Sequence, residues 1–143
     1  MKSLKMILAS TAAVLATLAI APAGQAHGVE GPRENLSPAV QAAIANVPGK
    51  AMTAIIVDYK PGGQSPSHRH GSAFVVGYVL SGAIRSQIND GESKVFHAGE
   101  SWTEAPGVHH TVSENASATE PAKLLAIFVA GSNDKDLVTW DKK

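Results

Sequence analysis

Gly62-Gly63-Gln64-Ser65-Pro66-Ser67-His68-Arg69-His70 opens the stretch whose reading decides the fold, and Gly107-Val108-His109-His110 closes it. On an extended strand successive side chains alternate faces, so His68 and His70 point the same way and Arg69 the other. Between the two ends an apolar segment runs to Gly82, and Asn89-Asp90-Gly91 then supplies a hairpin signal. A third histidine, 40 residues after His70, can therefore return beside the first two. That is a metal site in outline.

Outward from this stretch the chain keeps a period of two. Residues 51–59, 73–80, 83–89, 92–97, 101–104, 109–113 and 123–130 read as strands, punctuated by Pro61-Gly62-Gly63, Ser81-Gly82 and the Asn89 turn. Seven or eight short strands, with turns about every 8 to 12 residues, predict an all-β fold, a small antiparallel β-barrel or jelly roll. Ser37-Pro38 reads as an N-cap with proline in the first helical turn, and Val40, Ile44 and Val47 recur on one face. A short N-terminal helix over 37–47 is therefore expected, ended by Pro48-Gly49. The polar loop 115–121 belongs outside. Leu137, Val138 and Trp140 should pack the tail back on the barrel or against a second subunit.

The first 26 residues carry Lys2 and Lys5, an apolar run from Met6 to about Ala21, and small residues up to Ala26. This is the pattern of a secretory signal peptide, cleaved after Ala26 or, as second choice, after Ala23. A retained membrane anchor is the alternative, disfavoured because the run is shorter than the ~20 residues that span a bilayer. The expectation is one domain over 27–143, periplasmic or secreted and free of the membrane after cleavage. Cleavage at Ala26 would leave His27 first, whose amine and imidazole could chelate copper; coincidence is the preferred reading.

Loss of Lys2 and Lys5 leaves ten basic against twelve acidic residues, a formal charge of −2. No basic patch for nucleic acid remains. The chain has no cysteine, so thiolate ligands, a cysteine nucleophile and disulfides are all excluded, and the hydrophobic core must hold the fold. No Ser-His-Asp arrangement, phosphate-cradling loop or dinucleotide fingerprint is evident. Asn115-Ala116-Ser117 matches a glycosylation sequon.

The motif spacing resembles that of the cupins. Their first motif reads glycine, five residues, His-x-His, three or four residues, glutamate, six residues, glycine. Gly62, His68, His70 and Gly82 fall at those positions, with Val75 where the glutamate stands. In the second motif Gly99, Gly107 and His110 fit, while Ala105 and Glu114 occupy the proline and asparagine positions. The 16 residues between Gly82 and Gly99 suit a short intermotif hairpin. The resemblance implies a cupin barrel, commonly paired as a homodimer. It implies metal ligation by His68, His70 and His110, the motif spacing selecting His110 over His109. His97 reads as a solvated histidine.

Three neutral imidazoles suit a divalent transition metal, Fe2+ by preference, with Mn2+, Ni2+, Cu2+ or Zn2+ as alternatives. With Val75 in place of the carboxylate, the ion keeps its full charge, which favours anionic or chelating small-molecule substrates. The set is similar to that of cupin dioxygenases acting on thiols or diketones. The expected function is dioxygenase-type oxidation of a small chelating organic molecule. The alternatives are a non-catalytic metal- or ligand-binding cupin and an oxygen-independent metal-dependent lyase or isomerase. In Ser101-Trp102-Thr103-Glu104 the alternation turns Trp102 and Glu104 inward, where a carboxylate is costly unless it is paired or bound to metal. Glu104 is thus expected as a catalytic base or replacement ligand, unless a bulge places it in solvent. Gly77 should leave room near the metal, Phe74 and Trp102 are candidate walls with core packing as the default reading of both, and Tyr78, Arg69, Arg85 and Gln87 should face outward.

Overall fold

The computed structural model describes residues 33–142. The expected signal peptide, both expected cleavage positions and His27 lie outside the described residues. Eleven strands follow in order: β1 (Glu34–Ala43), β2 (Lys50–Tyr59), β3 (Gln64–Ser65), β4 (His68–Arg69), β5 (Phe74–Ser81), β6 (Ala83–Ile88), β7 (Lys94–His97), β8 (Ser101–Glu104), β9 (His109–Asn115), β10 (Ala122–Gly131) and β11 (Thr139–Trp140). They form two antiparallel sheets, one in the order β1-β2-β10-β5-β8 and the other β11-β4-β9-β6-β7, with β3 also paired to β9. The fold is an all-β jelly roll, as the alternation predicts.

The expected N-terminal helix is corrected. Residues 34–43 instead pair with β2 along its whole length, from Glu34 opposite Tyr59 to Ala43 opposite Ala51. Pro38 is tolerated because β1 is an edge strand and the register shifts between Pro38 and Val40. Pro48-Gly49, read as a helix stop, closes the β1–β2 hairpin instead, with Gly49 at a φ of 77°. The apolar spacing of Val40, Ile44 and Val47 has no helical face to serve. Val40 and Val47 are largely exposed.

Inward-facing Val57, Tyr59, Val79, Ile84, Ala122 and Leu124 form one core cluster, and Ala73, Val75, Phe128 and Ala130 another. Between the sheets lies a cavity of about 60 Å³. Phe74 and Tyr78 are each 40% exposed on the outer face. Phe74 is therefore no wall of the cavity, whereas Trp102 is. The loop after β9 is pinned by Asn115, whose Nδ2 donates to Lys60 O (3.1 Å) and Glu120 O (2.7 Å) while its Oδ1 accepts from the Ser117 amide. The only hydrogens a glycan could replace are thus engaged, and the sequon is structural.

Candidate metal centre

Strand pairing assembles the site. His68 on β4 lies directly opposite His110 on β9, and His70 follows two residues on from His68. All three are buried, and their ligating nitrogens lie within 4.8 Å of one another. His109 takes the opposite face, opposite Arg69. His97 is exposed at the end of β7.

The hydrogen bonds behind the rings fix which nitrogen is free. A carbonyl oxygen can only accept, so His68 Nδ1 donates to Pro66 O (2.7 Å) and His70 Nδ1 donates to Leu137 O (3.0 Å). Both rings therefore present Nε2 lone pairs to the centre. His110 meets Ser86 Oγ through Nε2 at 2.9 Å and turns Nδ1 toward Glu104 Oε1 at 3.2 Å. Burial pushes all three imidazoles below their ordinary value, and the neighbouring rings drive His110 further, down to about 3. Neutral rings are the state that binds metal.

Glu104 is 2% exposed and points into the cluster. It stands directly across the β5–β8 ladder from Val75, the position where the cupin motif carries its glutamate. Cross-strand partners share a face, so the carboxylate has moved one strand over and still enters the same space. Trp102 Nε1 donates to Oε1 (3.0 Å), while Oε2, 3.4 Å from His70 Nε2, has no hydrogen-bond partner. Burial raises this carboxyl above its usual range. An orphaned buried oxygen beside two converging Nε2 lone pairs and a third buried imidazole is a donor set that fits a divalent first-row ion.

Gly77 does not leave room as expected. A Cβ there would lie 2.5 Å from the Trp102 ring, so the indole already fills the space. That ring packs on Phe96 and His110 and walls the cavity.

The tail, expected to pack back, does so on the site itself. Strand β11 pairs with β4, placing Trp140 opposite His68 with ring centroids 5.1 Å apart. Asp141 Oδ2 accepts from Ser67 Oγ (2.7 Å) and His109 Nε2 (2.7 Å) and locks the strand down. No spacing or motif pointed to this Ser-His-Asp trio. It is not wired for nucleophilic catalysis, because both Ser67 and Asp141 meet the same imidazole nitrogen and the serine hydrogen points at the carboxylate. Ser86 was also missed, although it shares a strand face with Ile84 and Ile88, and parity alone turns it inward.

A family model described as "Cupin domain" matches residues 55–128. Among solved structures, a Klebsiella pneumoniae protein with a double-stranded β-helix domain is similar at a TM-score of 0.62 and 18% identity, covering 80% of this chain and 88% of that one. A recombinant oxalate oxidase in complex with glycolate is similar at 0.59 and 23%, covering 78% of this chain but 57% of the enzyme. KdgF from a Halomonas species is similar at 0.56 and 18%, covering 73% and 84%. No curated protein sequence matches.

Proposed function

The chain belongs to the cupin family, and from that premise we propose that it oxidises a small chelating molecule with dioxygen at a divalent metal held by His68, His70 and His110. One observation carries the reading: three buried imidazoles converge beside a carboxylate with an unpaired oxygen, in the cavity between the sheets. A bound ferrous ion would supply Lewis-acid polarisation of the substrate and the redox chemistry with dioxygen. The chain's own residues do the rest. Pro66 and Leu137 carbonyls hold two rings in the ligating tautomer. Glu104 serves as fourth ligand or as the base that takes a substrate proton on Oε2. Val138, Phe128 and Trp140 add apolar surface to the cavity wall. A volume of about 60 Å³ restricts the substrate to a few non-hydrogen atoms.

The test is anaerobic titration of the iron-loaded protein with small hydroxy acids, dicarboxylates and thiols, followed by oxygen admission. Oxygen uptake matched to substrate loss supports the reading, and its absence with every chelator sinks it. The unpaired Glu104 Oε2 also favours a second reading, an oxygen-independent lyase or isomerase with Glu104 as general base. That enzyme would turn over anaerobically with zinc or manganese.

A further inference from the structure

Away from the histidines, the same cavity is lined by hydroxyl groups that the chemistry above leaves unused. Tyr59 Oη lies 2.6 Å from Ser65 Oγ and 2.9 Å from Ser113 Oγ, and Ser65 Oγ donates to Glu34 Oε2. Tyr59 and Ser113 are buried, whereas Glu34 is half-buried on the edge strand β1. The last bond sets the direction of the others. An ionised carboxylate has no hydrogen to give, so Ser65 donates to Glu34 and must accept from Tyr59. Tyr59 has then used its hydrogen and must accept from Ser113. Ser113 is left presenting a lone pair in the cavity wall. It lies directly opposite Ser86, whose hydroxyl meets His110, so the inner end of the chain sits beside the metal centre.

We propose that Ser113, Tyr59, Ser65 and Glu34 form a proton path from the cavity to the protein surface. In one passage an O–H or N–H bond of a molecule in the cavity breaks, and its proton joins Ser113 Oγ. The Ser113 proton moves to Tyr59 Oη, the Tyr59 proton to Ser65 Oγ and the Ser65 proton to Glu34 Oε2. Electron pairs stay on the heteroatoms, so no redox partner is needed. Glu34 becomes a carboxylic acid and releases its proton to bulk water, and rotation of the three hydroxyls resets the chain. Burial raises the Glu34 carboxyl, which improves it as an acceptor, and lifts Tyr59 to about 12, so the phenol relays without accumulating as phenolate.

The path extends the proposed function by giving a substrate proton a way out, yet its test uses neither metal nor substrate, so the two can fail separately. Metal-free protein carrying 13C at tyrosine Cζ is placed in equal parts H2O and D2O. The chain has two tyrosines, and exposed Tyr78 serves as the control. A hydroxyl that exchanges slowly gives two Cζ lines, one protonated and one deuterated; fast exchange gives one averaged line. The wild type should show one line for Tyr59 despite its burial. Glu34→Gln and, independently, Ser65→Ala should each split it into two, while Ser113→Ala should leave it single because the route to Glu34 is intact. Two lines in the wild type, or a single line in both Glu34→Gln and Ser65→Ala, would overturn the proposal.

Discussion

Replacing Glu104 by glutamine should move two stabilities in opposite directions. In the metal-free protein the carboxylate is a liability, because Oε2 is buried without a partner. Glutamine has the same shape, keeps the bond from Trp102 on its oxygen, and turns an NH2 toward the His70 Nε2 lone pair. An unsatisfied buried acceptor costs about 1–3 kcal/mol, so Glu104→Gln should stabilise the metal-free protein by roughly that amount. For a domain of ~100 residues this is on the order of 4–8 °C in Tm per kcal/mol. With metal the sign reverses. At a free concentration ~100-fold above the wild-type Kd, binding adds about 2.7 kcal/mol; a ~100-fold loss of affinity leaves only about 0.4 kcal/mol. The assay is thermal unfolding of both proteins with and without zinc, chosen because it has no redox chemistry. A variant that is less stable without metal, or that gains as much from zinc as the wild type, would refute the reasoning.

Elemental analysis of the metal-loaded protein should show the ion lost from both His68→Ala and His110→Ala. Gly77→Ala drives a methyl to within 2.5 Å of the Trp102 ring and should cost about 1–3 kcal/mol in chemical denaturation, with weaker metal binding because the indole that holds Glu104 is displaced. The metal-free protein should lose stability as pH falls through ~6.5, because the unfolded imidazoles protonate there while those of the folded site stay neutral, His110 down to about 3. Each such histidine adds up to about 1.4 kcal/mol per pH unit. Glu104, whose carboxyl is raised, works in the opposite sense above its ordinary value. Denaturant midpoints across pH should show a shallower acid slope for His110→Ala. Asp141→Ala should speed amide exchange at residues 139–141, while global stability changes by less than ~1 kcal/mol, as expected for a solvent-accessible hydrogen-bonded contact.

The sequence announced the barrel and most of the candidate metal centre because both rest on parity. Period-two alternation placed His68 with His70, turned Trp102 and Glu104 inward, and sent Arg69 and Tyr78 out; the structure agrees at each. Residues 37–47 misled because Ser-Pro and an apolar i, i+4, i+7 spacing are local signals, whereas the strand there exists only through pairing with β2. Gly77 misled for a related reason: a missing side chain looks like space until its cross-strand neighbour is known to be Trp102. The Leu137 carbonyl on His70 and the Tyr59–Ser113 contact were not legible. Each joins residues more than 50 apart, and period-two alternation tells which face a side chain takes but not which distant segment stands opposite it.

The clasp of β11 over β4 also orders events during synthesis. His68, His70 and His110 leave the ribosome before Leu137 and Trp140, so a nascent chain ending at Gly131 holds every proposed ligand and lacks both the carbonyl that orients His70 and the ring that covers His68. Such a chain presents His70 with its Nδ1 unanchored, beside a His68 and a His110 whose own hydrogen bonds are already available. Docking of residues 137–141 sets the third ring and covers the first, which completes the ligand geometry.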